Sequence, residues 1–468
     1  MQGAQNNRLT SKWRGALSLM ALMGAMAVSP AGAESLSEAI AQAYAQNPTL
    51  QRARALQRAN DENYVQARSG LGPSLSLGAD VSYQDPAFQG SQSTTGLSLN
   101  ASQPLFASGG LTAGLNAAEA DVRAGQEDLR SVESQVLLQV IDVYTAVRRD
   151  QEALRIQQES RDVLGQQLEE TRARFEVGEL TRTDVAQSEA RLAAATAAVS
   201  SAQAQLEASR AAYVAVVGQS PTALDPVPAL QVPSDFTQAL NRAENNNPSL
   251  RAAQYDEAAA RARVSQARSG LGPNIGLTAS YGVNAPTNDF RDLGTRDVAT
   301  AGLRVTVPLF TSGLNSSRVR QASENHNAQR LSVELSRREV VQQTSTNWAN
   351  MNAARAGAEA NREQVRAASV AAEGVRLEQG VGLRTNIEVL NAEQELRQAQ
   401  LALIDAERSA YLASAQLLAV TGDLRADALV AGIDTYDPAA NFDAVKNRGA
   451  TPLEPLIRAV DGLVTPAE

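Results

Sequence analysis

The chain has 468 residues, 51 acidic against 42 basic side chains, a net charge of −9, no cysteine and one histidine. Disulfides, cysteine-ligated metals and an N-terminal lipidated cysteine are therefore excluded, and His326, alone in a polar helical stretch, makes a poor metal site and is expected as a solvated surface residue. The acidic balance also argues against nucleic acid as a partner.

Arg8, Lys12 and Arg14 precede an apolar stretch from Ala16 to Val28, and Ala31-Gly32-Ala33 follows. This is the pattern of a secretory signal peptide over residues 1–33, cut after Ala33. The apolar run is short for a spanning helix, and no later run is long enough. Beyond Lys12 the only lysine is Lys446, so nearly all positive charge is arginine.

Residues 34–218 form a first structural repeat. Residues 35–70 read as a helix with Ser35 or Ser37 as its cap and a break at Asn47-Pro48. It ends in QARSGLGP over 66–73, where the hydrophobic period changes from helical to two. Leu75, Leu77, Ala79, Val81 and Tyr83 then alternate with Ser74, Ser76, Gly78, Asp80 and Ser82, which predicts a strand over about 74–83. Leu97, Leu99 and Ala101 alternate with small polar residues and predict its hairpin partner over about 96–104. Pro104-Leu105-Phe106-Ala107-Ser108-Gly109 follows, with Ser108 as an expected cap. The next proline is Pro221, so a helix over about 111–177 is predicted, roughly 100 Å long if continuous. A return helix follows over 181–217.

Residues 219–234 contain four prolines and link the halves. Residues 235–422 repeat the order. Asp235 is the expected cap, Asn247-Pro248 the break, and QARSGLGP recurs over 266–273. Strands are predicted over about 274–284 and 299–309, with Arg304 on the polar parity of the second. Pro308-Leu309-Phe310-Thr311-Ser312-Gly313 repeats the earlier signature, and helices over 314–381 and 385–421 complete the half. The tail, 423–468, lacks sustained periodicity and is expected to wrap loosely or to be disordered.

Two patterns constrain the assembly. The return helices carry seven-residue repeats: Val389, Leu396, Leu403, Ala410 and Leu417 in one phase, Ala392, Ala399, Ala406, Ala413 and Val420 in another. The first half matches with Val185, Leu192, Val199, Leu206 and Tyr213 beside Ser188, Ala195, Ala202, Ser209 and Val216. A large seam next to a small one suits knobs-into-holes packing and left-handed supercoiling. The strands have membrane-crossing length and clean alternation, which places Asp80 and Arg304 on the polar, lumenal face of a barrel. Four strands cannot close a barrel, and an open edge cannot sit in lipid, so several copies must share one sheet.

The order helix, strand, strand, long helix, return helix, twice over, resembles the TolC-like outer membrane efflux proteins across nearly the whole mature chain. The most specific local match is the turn into each return helix: Gly178-x-x-Thr181-x-x-Asp184-Val185-x-Gln187, and Gly382-x-x-Thr385-x-x-Glu388-Val389-Leu390-Asn391-Ala392. The resemblance implies a mainly α fold with β: a homotrimer whose four strands per protomer, twelve in all, form an outer-membrane β-barrel. A periplasmic α-helical barrel of long coiled-coil helices continues it. It also implies a periplasmic adaptor (membrane fusion) protein and an inner-membrane pump or ABC transporter as partners, with no cofactor. In that family the turns lie at the closed periplasmic tip, where an acidic pair lines the constriction. Glu388 and Asn391 occupy the matching positions, the second an amide, so a ring of three carboxylates is implied rather than a double ring. Arg384 matches a position whose polar contacts hold the tip shut.

The function implied is a passive exit duct in the outer membrane of a Gram-negative bacterium, for drugs, small molecules or secreted polypeptides. No catalytic constellation accompanies it. Two other classes compete: a trimeric coiled-coil surface adhesin or scaffold, which needs only one anchor at one end, and a periplasmic adaptor, which needs compact β domains instead of membrane-length alternation.

Overall fold

The computed structural model describes residues 34–85, 92–221, 223–294 and 296–463. The leader expected over 1–33 lies outside the described residues. The first half comprises α1 (Leu36–Gln46), α2 (Pro48–Ser69), β1 (Ser74–Gln84), β2 (Gln92–Phe106), α3 (Gly110–Glu176) and α4 (Arg182–Val217). The second comprises α5 (Phe236–Asn246), α6 (Pro248–Ser269), β3 (Asn274–Ala285), β4 (Arg296–Thr306), α7 (Leu314–Gly380) and α8 (Asn386–Val420). Both α3 and α7 contain 67 residues. No helix among the described residues is long and apolar enough to cross a membrane.

Local chemistry sets the breaks. Ser35 and Glu38 form a reciprocal capping box that starts α1. Asn47 ends α1 and caps α2, its side-chain oxygen accepting from the amides of Thr49 and Leu50 at 2.9 and 3.3 Å. Pro48 occupies the first helical position, where a missing N–H costs nothing. In the second half Asp235 caps α5 by accepting from the Gln238 amide at 2.8 Å, and Asn247, followed by Pro248, caps α6 by accepting from the Leu250 amide at 3.1 Å.

The four strands form one antiparallel sheet in the order β1-β2-β3-β4, leaving the outer edges of β1 and β4 unpaired in the protomer. Leu77, Leu99, Tyr281 and Ala299 lie in register across it, as do Gly78, Ser98, Gly282 and Val298 one position on. Alternation therefore sorts one face as mostly apolar and the other as small and polar. The limits of two strands differ from expectation: β2 spans Gln92–Phe106 rather than about 96–104, and β4 spans Arg296–Thr306 rather than about 299–309. β2 begins at Gln92, because Gln92–Thr95 pair with Val81–Gln84 although they carry no apolar alternation. β4 ends at Thr306, not at 309: its partner strand starts at Asn274, so nothing remains for Val307–Leu309 to pair with.

The rods pack through the heptad seams. Ala195, Val199, Leu206 and Tyr213 on α4 are buried, as are Val389, Ala399, Ala413 and Leu417 on α8. The broadest apolar core forms a collar around the middle of α3, where Val140, Ile141, Tyr144 and Val147 meet Leu36 and Ile40 of α1, Tyr213 and Val217 of α4, and Leu424. The Tyr144 hydroxyl donates to the carbonyls of Glu34 and Asp225, both at 2.8 Å, and burial pushes its pKa up to about 12. Glu34 is itself buried: its amide donates to the Ala223 carbonyl, and its carboxylate accepts from Tyr213 at 2.7 Å.

The tail, left open by the sequence between loose wrapping and disorder, packs against the rods over its described residues, 423–463. It forms α9 (Ala426–Leu429), α10 (Pro438–Val445) and α11 (Glu454–Asp461). Asp461 is fully buried and accepts from the amides of Ala107, Gly109 and Thr112 and from the Thr112 hydroxyl, at 2.8 to 3.1 Å. It supplies the side-chain cap that α3 lacks. Ser108, expected in that role, instead donates to the Pro273 carbonyl at 2.7 Å, and Gly109 is the helix-start residue. Ser312 likewise yields to Gly313. Glu454 pairs with Arg68 of α2 at 2.7 Å, and Lys446 at the end of α10 reaches Asp443 at 2.6 Å. His326 is not freely solvated either: its Nε2 lies 2.5 Å from Glu257 of α6.

Candidate functional site

The far ends of the rods are built by two matching turns. Gly178 and Gly382 take φ of 81° and 80°, the left-handed conformation in which a Cβ is disfavoured. Each turn closes with the same pair of backbone bonds, from Gly178 and Glu179 to Phe175 and Arg174, and from Gly382 and Leu383 to Gln379 and Glu378. Three residues after each glycine a threonine starts the return helix. Thr181 and Asp184 form one capping box, Thr385 and Glu388 the other. Outside the turns, Val177, Val381 and Leu383 are exposed, each by more than two thirds.

Glu388 is held locally. Its Oε2 accepts from the amide and the hydroxyl of Thr385, both at 2.8 Å, and its Oε1 lies 2.9 Å from Arg384 Nη1. The Thr385 amide foremost, then its hydroxyl and the Arg384 guanidinium, pull the Glu388 carboxyl down to about 2. Arg384 also binds Glu378 through Nε at 2.7 Å, so one guanidinium bridges the end of α7 and the start of α8. Asn391 turns to the other coil, its Oδ1 accepting from Arg191 of α4 at 3.1 Å. In the first turn the Thr181 hydroxyl and amide lower the Asp184 pKa in the same way.

Two connections here were not singled out from the sequence. Arg191 also reaches Gln394 of α8. Deeper, the Asn386 side-chain amide donates to Ser188 Oγ at 3.0 Å and accepts from Gln167 at 3.1 Å. Ser188 approaches Thr171 at 3.4 Å, and all four side chains are buried. This polar chain ties α3, α4 and α8 together just above the turns. Ser188 in the small-residue phase of α4 was its one visible trace; the rest required knowing which helices adjoin.

Asp80 and Arg304 share the polar face of the sheet, but not one end of it. Asp80 pairs with Gly96, Gly96 with Asn284 and Asn284 with Arg296 near the hairpin loops, whereas Arg304 pairs with Gly276 near the helices. About 27 Å of strand separates the two levels. The molecule thus presents an electrostatic feature at its turn end and a two-faced sheet at the other.

The chain matches the model of the outer membrane efflux protein family over residues 39–219 and 239–423. It is 35% identical over 418 residues to the outer membrane efflux protein BepC of Brucella suis, covering 89% of this chain and 91% of BepC. It is 27% identical over 420 residues to the outer membrane protein TolC of Escherichia coli, covering 85% and 84%. Among solved structures, that of the outer membrane protein VceC of Vibrio cholerae superposes with a TM-score of 0.72 at 21% identity, over 83% of this chain and 96% of VceC. With both halves matched by the family model and a full-length relative above 30% identity, the chain belongs to the outer membrane efflux protein family.

Proposed function

We propose that three copies of this chain join edge to edge into one tube that spans the outer membrane and the upper periplasm. The protein is an outer-membrane exit duct for efflux or type I secretion. The observation that carries the proposal is the sheet: four strands, two free edges, and faces sorted into apolar and polar. Lipid tolerates neither free edge. Pairing β4 of one copy with β1 of the next removes both and turns the apolar face outward. Asp80 and Arg304 then line the lumen.

At the other end the exposed Val177, Val381 and Leu383 form the docking tip for a periplasmic adaptor, since exposed apolar side chains clustered at a rod end mark a contact surface. The adaptor connects the duct to an inner-membrane pump or ABC transporter, which supplies the energy. Glu388 and Asn391 face the constriction, with Arg384 as the local tie. Family membership leaves the adhesin and adaptor readings without support.

Because the chain has no cysteine, the closure is directly testable. Leu77→Cys on β1 is combined in turn with Ala299→Cys, Ala301→Cys and Leu303→Cys on β4, all on the apolar face. Oxidation of membranes should give covalent trimers with at least one pair. Monomers with every pair, together with a monomeric mass in detergent, would overturn the arrangement.

A further inference from the structure

Halfway along the rods lies a groove of about 1090 Å³, lined by α3, α7, α8 and the linker that follows α4. It runs along α8 from Leu403 to Ser414, about 16 Å of helix. Its apolar lining includes Leu224, Val227 and Leu230 of the linker with Leu403 and Ile404 of α8. Its polar lining is arginine: Arg148, Arg149, Arg155, Arg355, Arg362 and Arg408, against three glutamates.

Four of those arginines are already matched. Arg149 pairs with Asp150 and Asp405, Arg155 with Glu152 and Glu159, Arg362 with Glu359 and Glu407, and Arg408 with Asp142. Arg148 of α3 makes no hydrogen bond or ion pair among the described residues. Among the described residues Arg355 of α7 has only the Ser414 hydroxyl, at 3.5 Å. Tyr411 also lines the groove, and its hydroxyl has no hydrogen-bond partner among the described residues. Two guanidiniums without an ion-pair partner among the described residues, Arg148 with Glu152 one turn away, share this groove with an unpartnered hydroxyl and apolar side chains.

We propose that this groove is a binding site for a small anionic amphiphile, a molecule with an apolar body and a carboxylate, sulfate or phosphate head. The head sits between Arg148 and Arg355, where a planar guanidinium recognises oxyanions in a forked geometry. The body lies along Leu403, Ile404 and the linker. Binding bridges α3 and α7 through one ligand and fastens the linker to the rods, so the ligand stabilises the collar. Nothing in this depends on how the duct closes.

Octyl sulfate is the probe, added to the full-length protein in amphipol, with octyl glucoside, octyltrimethylammonium and sodium sulfate as controls at equal concentration. Octyl sulfate alone should raise the unfolding midpoint, by at least about 3 °C at saturation. It should also perturb the emission of Trp348, the one tryptophan outside the leader, seven residues from Arg355 on α7. Arg148→Gln with Arg355→Gln should weaken octyl sulfate binding at least tenfold while the unliganded midpoint changes little, because neither side chain has an ion-pair partner among the described residues to lose. The double lysine variant, which keeps charge but loses the fork, should lose less than the glutamine pair. Equal stabilisation by sodium sulfate would reduce the effect to charge screening and overturn the proposal. Equal binding by the glutamine variant would place the amphiphile elsewhere and overturn it too. An acidic peptide that binds the groove while octyl sulfate does not would reject the small-molecule assignment.

Discussion

Gly178 and Gly382 do different work from the other residues of the turn motif, because each holds a positive φ with no atom near enough to block a Cβ. Gly382→Ala should therefore cost only backbone strain, about 1–2 kcal/mol, and lower the unfolding midpoint of the rods without blocking expression. A loss as large as a core deletion would mean that the turn is packed against something in the assembly. At Glu388 the expected reading is electrical. Glu388→Gln should reduce block of single-channel current by multivalent cations, and unchanged block would remove it from the constriction. Its folded carboxyl titrates near 2 against an ordinary 4.5, so the interactions of its charge persist above that ordinary value and fade only as pH falls toward 2. Cation block should accordingly be the same at pH 7 and pH 5; a decline across that interval would contradict the Thr385 and Arg384 contacts. The glycines and threonines of the turns were legible because each acts within a few residues of itself; that Asp184 and Glu388 close the capping boxes emerged only with the structure. Arg191 and Asn386 were not, since their partners sit about 200 positions away on helices whose adjacency no local pattern states. His326 was misread for the same reason: Glu257 is 69 residues distant.

At the scale of elements, the breaks at Asn47-Pro48 and Asn247-Pro248 and the long α3 and α7 followed from proline placement and hydrophobic period alone. The start of α3 did not. A glycine at the helix-start position offers no side-chain acceptor, and the missing one arrives from α11, some 350 residues on. Asp461→Ala should leave three backbone amides without that partner and cost about 2–4 kcal/mol, read as a lower unfolding midpoint and faster proteolysis of the tail. Asp461→Asn, which keeps one acceptor oxygen, should fall between. If Asp461→Ala unfolds at the same temperature as the parent, the tail is an ornament and α3 is held by its seams alone. The packing of the tail was not legible because its helices are short and their apolar faces are meaningful only against the elements they cover, α1, α2, α3 and β2. β4 shows the converse limit. Alternation continues through Leu309, but a strand ends where its neighbour does.

For the whole molecule, the four-stranded sheet and the rods joined to it pose one geometric problem, and the duct solves it. Arg304 tests the orientation. A lone cysteine in place of Arg304 should react with water-soluble thiol reagents admitted through the channel and resist a lipid-phase probe, because a charge facing the bilayer interior costs several kcal/mol. Strong labelling from lipid would invert the barrel. The cargo leaves no comparable mark, since a hollow tube is lined for passage rather than recognition. Deleting the gene and assaying drug accumulation beside secreted protein distinguishes the two. The scarcity of lysine offers a way to count copies. In a chain processed after Ala33, the Glu34 nitrogen is buried against Ala223, and Lys446 is the only lysine left, partly exposed at the end of α10. An amine-reactive dye then marks each protomer once, and the bleaching steps of a single assembled particle report its stoichiometry without any engineered residue.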